Sequence, residues 1–585
     1  MQPTPQILAE IEAMLGRGES EAARSKVQGL LRRSPADPAL NAFMARALAR
    51  LGQAGAAEYY AERAHRALPA DPLLMALYGR ALCMSGKQAE AVELLRRALL
   101  AAPGLPAAWL PLIVTHYQRG EMAAALAACD GAERAGVQNP ELPELRAGAH
   151  LECGEPEAAV RALEEGLRRW PGHPRLLSHL CCAMNYSPAT TPAAALARAR
   201  EYGAALDRGL PRLPPAAPSP GGAGKKLTIG FVSPDLRVHS VAWFLEPLLE
   251  RLDRGRFAVF CYHVGTAADG VSQRLKALSR RWRHIPHAGP TDLAKQLRAD
   301  GVDIAVDLAG HTDGHRLAAF HVGCAPVQAT WLGYPSTTGV RGIGLRLVDS
   351  LTDPPVAAAQ ATERLARLDP CFVCYRPDPG APPLRMPEGG GIVFGSFSAM
   401  AKVNDRCAAL WARVLARVPG SRLLLKNWGL REAGVRERVR ARLAAAGIPA
   451  ERLELAPWAE GTGEHLAMYG RMHVALDTWP YGGTTTTCEA LWMGVPVVTL
   501  VGESHASRVG ASLLSAAGLP DCITRTDDDY VEAAARLAGD AAGLATLRGT
   551  LRERVAASPL CDAGGFAGRF GAALREGWES RTLGG

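Results

Sequence analysis

Along the first third of the chain, apolar residues recur as pairs of short helical patterns, and the punctuation between them keeps one interval. Gly18, Gly52, Gly86, Gly120 and Gly154 stand 34 residues apart, and each is followed five positions later by an alanine: Ala23, Ala57, Ala91, Ala125 and Ala159. Pro35, Pro69, Pro103 and Pro171 share the period. A glycine lets the chain turn between two helices, a small residue lets the pair approach, and a proline stops the second helix because it cannot extend the hydrogen-bond ladder. The stretch "PRLPPAAPSPGGAGKK" (211–226) then carries no apolar periodicity and predicts a linker. Beyond it, short apolar runs ("KLTIGFVS", "FAVFCYHV", "VDIAVDLAG", "GGIVFGSFS", "SRLLLKNW", "HVALDTW", "PVVTLVG") alternate with amphipathic stretches such as 406–418 and 434–446. Strands alternating with helices predict parallel sheets with right-handed crossovers and ligands at the carboxyl ends of the strands. A second Pro/Gly-rich stretch, 377–391, interrupts the alternation, which predicts two doubly wound lobes with a cleft between them.

The 34-residue repeat resembles the tetratricopeptide repeat, with about five repeats over 4–173 inside a helical region 1–205. Stacked helix pairs of this kind form a concave superhelix that takes extended peptides or partner subunits. The linker is set at 206–225, the first lobe at 226–385 and the second at 386–585.

Composition narrows the chemistry. At 585 residues with 48% hydrophobic content the chain supports several packed domains. It shows no leader pattern and no long apolar window, so a cytoplasmic protein without a membrane partner is expected. A net charge of +8 without a Lys/Arg block excludes nucleic acid as the natural partner. Thirteen scattered cysteines fit reduced thiols; Cys371 and Cys374 lack a second CxxC or a histidine at zinc spacing, and are expected to be strand cysteines.

The candidate site residues all fall just past predicted strands. Asp235 and His239 follow the first; His311, Thr312, Asp313 and His315 follow the run "VDIAVDLAG"; Lys402 precedes a helix capped by Asn404 or Asp405. In "PYGGTTTTCEALWMGVPVVTL" (480–500), Gly482 and Gly483 allow close backbone approach at a helix entrance, and Thr484, Thr485, Thr486 and Thr487 add hydroxyls. Unpaired N–H groups and the positive dipole end make such an entrance a phosphate cradle. Glu489, expected in the first turn, would face ribose hydroxyls. Neither GxxxxGK[ST] nor GxGxxG is present, and no DxD follows a strand, so no bound cofactor and no metal is expected.

Six stretches, "IGFVSPDLRVHSV", "DLAGHTDG", "APVQATWLGYPSTTG", "GSFSAMAKVN", "LDTWPYGGTTTTCEALWMGVPVVT" and "GESHASRVGASLL", resemble in order and spacing the catalytic region of the protein O-GlcNAc transferase and SPINDLY family. The resemblance runs from about Lys226 onward, and the repeats in front of it are also the family's arrangement. It implies a GT-B fold and inverting, metal-independent transfer of a sugar from a nucleotide-diphosphate donor to Ser or Thr of proteins. It implies that His239 is the catalytic-motif histidine, Lys402 the diphosphate lysine, His465 a histidine near the donor base, Thr485 and Thr486 the diphosphate threonines, and Glu489 the acidic residue at the ribose. UDP-GlcNAc is the donor first implied. Thr484 in place of a histidine, Ala399 three residues before Lys402, and Thr462 in place of a lysine depart from the UDP-GlcNAc pattern, and the TTTTCE run and "GFVSPD" look closer to the SPINDLY branch, so GDP-fucose is the alternative. A repeat scaffold whose nucleotide-sugar lobe senses rather than turns over is the non-enzymatic alternative.

Overall fold

A computed structural model describes residues 4–218 and 224–583; residues 219–223 of the expected linker lie outside the described residues. The chain divides into two compact units, Met1–Glu152 and Cys153–Gly585. In the first, the described helices pair as the period predicts, with Pro5, Pro38, Pro72 and Pro106 opening the leading helix of successive pairs. Proline is at home there because the first turn has no use for its missing N–H. Gly18, Gly52, Gly86 and Gly120 turn between helices at φ of 80°, 72°, 81° and 78°, a region closed to most side chains. Ala23, Ala57, Ala91 and Ala125 are fully buried, so any larger residue there would push a helix pair apart.

The second unit opens with the helices Pro156–Arg169, Pro174–Met184 and Pro192–Gly209, and the last of these runs past the expected domain end at 205. The chain after it is docked rather than free: Leu213 N–H donates to Val322 O at 3.0 Å.

Two all-parallel sheets follow. The first contains β1 (Leu227–Ser233), β2 (Phe257–His263), β3 (Arg281–His284), β4 (Ile304–Asp307), β5 (Val327–Thr330), β6 (Leu345–Val348) and β7 (Arg364–Arg367), in the order β3-β2-β1-β4-β5-β6-β7. The second contains β8 (Val393–Ser396), β9 (Arg422–Lys426), β10 (Leu453–Ala456), β11 (Val474–Leu476), β12 (Val497–Leu500) and β13 (Ile523–Thr524), in the order β10-β9-β8-β11-β12-β13. Both orders are the 3-2-1-4-5-6 winding, in which the strand order reverses beside the first strand of each lobe. Register pairs Ile229 with both Val259 and Ile304 in the first sheet, and Leu424 with both Gly395 and Glu454 in the second.

One face of the first sheet buries Val232, Phe260 and Tyr262 against Leu177, Tyr202 and Leu206 of the preceding helices. The other face buries Ile229, Phe231 and Val306 with Phe566, Phe570, Leu574 and Trp578 of the final helix, Ala563–Leu583. Trp331 meets Phe570 edge-on at 4.9 Å. The last helix therefore completes the first lobe, which corrects the assignment of 386–585 entirely to the second. Its apolar side chains match the first sheet, and burying each stabilises by about 1.5–3 kcal/mol. Among the described residues no helix is long and apolar enough to cross a membrane.

Candidate active site

In the second lobe, β8 gives way to a single 3₁₀ turn, Met400–Lys402, before the helix Asp405–Arg417. Asn404 caps that helix, accepting from Cys407 N–H at 3.0 Å, and its amide also donates to Trp479 O at 2.8 Å. This cap ties the lysine turn to the glycine-threonine loop. Lys402 Nζ donates to Gly482 O at 2.8 Å and lies 3.8 Å from the centroid of the Tyr481 ring. Burial pulls the Lys402 ammonium down to about 8, against the opposing pull of Asp477.

Asp477, just past β11, organises the loop. Its carboxylate accepts from Gly483 N–H at 2.7 Å, Thr499 Oγ1 at 2.7 Å and Thr478 N–H at 2.9 Å. A side chain on Gly482 would begin 2.9 Å from Asp477 Oδ2, and one on Gly483 only 2.4 Å from Thr486 Oγ1, so packing requires both glycines. Thr484 is the N-cap of the helix Thr485–Trp492 and makes no side-chain capping bond. Thr484, Thr485 and Thr486 are half-buried at the loop. Thr487 is not: it is buried and donates to Gly483 O at 3.0 Å, a back-bond into its own helix that removes it from the cradle.

Glu489 sits one turn deeper than expected, since the first turn holds no acidic residue. Its Oε2 accepts from His465 Nε2 at 2.9 Å and from Tyr469 OH at 3.1 Å. On the other side of the ring, His465 Nδ1 accepts from Lys426 Nζ. Lys426, the last residue of β9, is 1% exposed and lies 5.0 and 4.9 Å from the Phe397 and Trp458 ring centroids. Burial holds it near 8, opposed by Glu489. Neither Lys426 nor Asp477 stands out in the sequence as a site residue. The signal was available: a lysine closing a leucine run and an aspartate closing "HVAL" are charges at the carboxyl ends of buried strands.

In the first lobe, His239 is the N-cap of the helix Ser240–Arg251, and its Nδ1 accepts from Val241 N–H at 3.2 Å. That bond leaves the proton of the neutral ring on Nε2, the nitrogen free to act as donor. Asp235 Oδ2 is 3.8 Å from Nδ1, and burial lowers His239 while raising Asp235.

His311 is not a cleft residue. It is 3% exposed, and both ring nitrogens are used in one chain of hydrogen bonds. Leu317 N–H is 3.3 Å from His315 Nδ1, His315 Nε2 is 2.9 Å from Ser178 Oγ, Ser178 Oγ is 2.8 Å from His311 Nδ1, and His311 Nε2 is 2.9 Å from Thr338 O. The two ends fix every donor: Leu317 N–H into His315, His315 into Ser178, Ser178 into His311, and His311 into the Thr338 carbonyl. Burial drives His311 to about 4 and His315 to about 3, so both rings stay neutral. Thr312 is spent on Ala309 O at 2.7 Å, while Asp313 is exposed. Cys371 and Cys374 are buried free thiols in an irregular stretch after β7, not in a strand, and burial pushes both up to about 12. Among the described residues no three His, Cys, Asp or Glu side chains gather as a metal-binding group.

This geometry can be set beside known proteins. The family model "Glycosyl transferase family 41" matches residues 217–375 and 383–569. The chain is 38% identical over 367 residues to the probable UDP-N-acetylglucosamine–peptide N-acetylglucosaminyltransferase SPINDLY of Arabidopsis thaliana, covering 62% of this chain and 40% of that one. It is 30% identical over 356 residues to the Arabidopsis thaliana protein of the same activity name called SEC, covering 58% and 36%. The chain thus spans well under half the length of these relatives. A solved structure of a mutant O-GlcNAc transferase from Thermobaculum terrenum is 32% identical, superposes with a TM-score of 0.78, and covers 93% of this chain and 98% of that one. A helical repeat region followed by a GT-B pair of lobes is the architecture of the chain.

Proposed function

The chain belongs to glycosyl transferase family 41, and on that premise we propose that it moves a sugar from a nucleotide-diphosphate donor onto Ser or Thr hydroxyls of proteins, with inversion and without a metal. The observation that carries this reading is the convergence of Lys402 Nζ and the threonine loop on Gly482. When an acceptor oxygen attacks the anomeric carbon, the bond from that carbon to the β-phosphate oxygen breaks, and the bonding electrons leave with the diphosphate. That growing charge needs preorganised positive potential. Lys402 supplies it as an ammonium, and the hydroxyls and N–H groups at Thr484, Thr485 and Thr486 supply aligned donors. An arriving diphosphate takes over the bond now made to the Gly482 carbonyl, and its charge raises the Lys402 pKa.

His239 orients the acceptor by donating from Nε2, and the proton lost by the attacking hydroxyl passes through water to an oxygen of the departing diphosphate. The His465–Glu489–Tyr469 chain, with Lys426 behind it, is proposed to meet the ribose and base. The helical repeats are proposed to present protein substrates. UDP-GlcNAc is the proposed donor, supported by the activity named for the SPINDLY and SEC relatives. GDP-fucose is the second reading, favoured by Thr484 at the first cradle position and Ala399 before Lys402. Mass spectrometry of a protein acceptor incubated with each donor side by side tests both: an N-acetylhexosamine mass on Ser or Thr is expected, a deoxyhexose mass selects the second reading, and neither overturns the proposal.

A further inference from the structure

The carboxyl edge of the first sheet carries His239 and His311; its opposite edge holds something else. At the amino ends of β5, β6 and β7 lies a cavity of about 660 Å³, within the range of small-molecule clefts. Five arginines line it, Arg212, Arg298, Arg341, Arg364 and Arg581, and no aspartate or glutamate does.

Those charges are compensated only in part. Arg212 Nε donates to His321 O at 3.2 Å, and Arg298 donates to Gly323 O at 2.7 Å and Pro214 O at 2.8 Å, so both spend their bonds on neutral carbonyls. Arg341 lies 3.4 Å from Asp207, and Arg364 bonds Glu576 at 2.7 Å. Arg341 and Arg581 are exposed. Against five guanidiniums the described ion pairs set two carboxylates, so the lining of the concavity is positively charged. Concave walls of low dielectric focus such a field on whatever anion enters.

The frame is rigid. Gln328, 5% exposed, uses its whole amide on the wall, donating to Phe320 O at 2.9 Å and Gly342 O at 2.7 Å and accepting from Cys324 N–H at 2.7 Å. Leu213, Val327 and Leu345 add an apolar strip beside the charges.

We propose that this cavity is a second binding site, separate from the donor cradle, for a free small molecule bearing several adjacent phosphates. Guanidinium forks match phosphate oxygens two at a time, which a cluster of lysines would not do. The reading does not depend on the donor or on turnover, because the site lies on the edge of the sheet away from the loops that carry the chemistry.

Calorimetry with inorganic tripolyphosphate at low ionic strength on the full chain tests it. Lys402→Ala, whose cradle has lost its ammonium, is expected to retain tripolyphosphate binding, and adding Arg341→Glu/Arg581→Glu to it is expected to weaken that binding roughly tenfold or more. Ser580→Glu, which adds a carboxylate to the cavity without breaking an ion pair, is expected to weaken binding in the same direction and serves if the double variant fails to fold. Unchanged affinity in the folded charge-reversed variants overturns the proposal. So does loss of binding in Lys402→Ala, which would place the anion in the cradle, and so does binding seen only to vesicles displaying polyphosphoinositide headgroups and not to free tripolyphosphate.

Discussion

The two lobes solve the same problem with the same device and reach opposite ends. In each, the fourth strand runs into a buried aspartate that accepts a glycine N–H from the loop and a threonine hydroxyl from the fifth strand. In the first lobe Asp307 accepts from Gly310 N–H and Thr330 Oγ1, both at 2.8 Å; in the second Asp477 accepts from Gly483 N–H and Thr499 Oγ1, both at 2.7 Å. Burial raises both carboxyls, Asp307 to about 6. What differs is the cover. Ser178 and Tyr202 of the helices ahead of the first lobe close over its loop and turn His311 and His315 into a neutral joint. Over the second lobe's loop, Lys402 keeps a charge and the threonine hydroxyls stay half-buried. A loop's topological address makes it eligible for function; the neighbours that pack on it decide whether eligibility is used.

The largest expected effect tests the open loop. Lys402→Ala should lower kcat by about 100-fold or more at saturating donor, with the thermal midpoint nearly unchanged; wild-type turnover would remove the lysine from the mechanism. Asparagine at the matched aspartates should separate the lobes. Asp477→Asn should raise the KM for donor about tenfold, as expected when a preorganised loop loses a charge-assisted bond, whereas Asp307→Asn should lower stability by about 1–3 kcal/mol and leave the KM alone. Parallel steady-state and denaturant measurements on the two variants check the contrast, and a similar loss of donor affinity in both would erase it.

Ser178→Ala strands two imidazole nitrogens and should cost about 1–3 kcal/mol in urea unfolding with donor affinity intact. A shift in donor KM would instead make the His311 joint part of the active site. The smallest effect is on pH. Lys402 is charged below about 8 and neutral above it, so kcat/KM for donor should fall as pH rises through that value. Under saturation the bound diphosphate keeps the lysine protonated, and kcat should hold to higher pH. Because Lys426 titrates in the same range, the profile is to be repeated in Lys426→Met, where the fall should persist.

Much of the architecture was legible because it is written in short range. Gly18 and its successors, the alternating strands and the Asn404 cap each state their local geometry in a few residues. Lys402 beside a strand end was legible for the same reason. His311 was not: "GHTDGH" reads as an open polar loop, and only Ser178, distant in sequence, shows that it is sealed. Lys426 closes a leucine run that announces a strand rather than a site, and Thr487 sits in a run of four identical residues whose members the helix turns to different sides. Nor does "FAGRFGAALREGW" say which of two sheets its aromatic stripe will cover.

That last stripe, on the helix Ala563–Leu583, bears on how the molecule is made. The ribosome releases the strands of the first sheet, and the helix Ser240–Arg251 whose Leu245 and Leu248 share their core, long before the helix that completes that core, so Ile229, Phe231 and Val306 stay only partly covered until the second lobe has been translated. The lobe that begins first is finished last. Nascent chains lacking the helix Ala563–Leu583 therefore present a sticky first sheet to chaperones, and a truncation that removes this helix injures the lobe whose strands were made first.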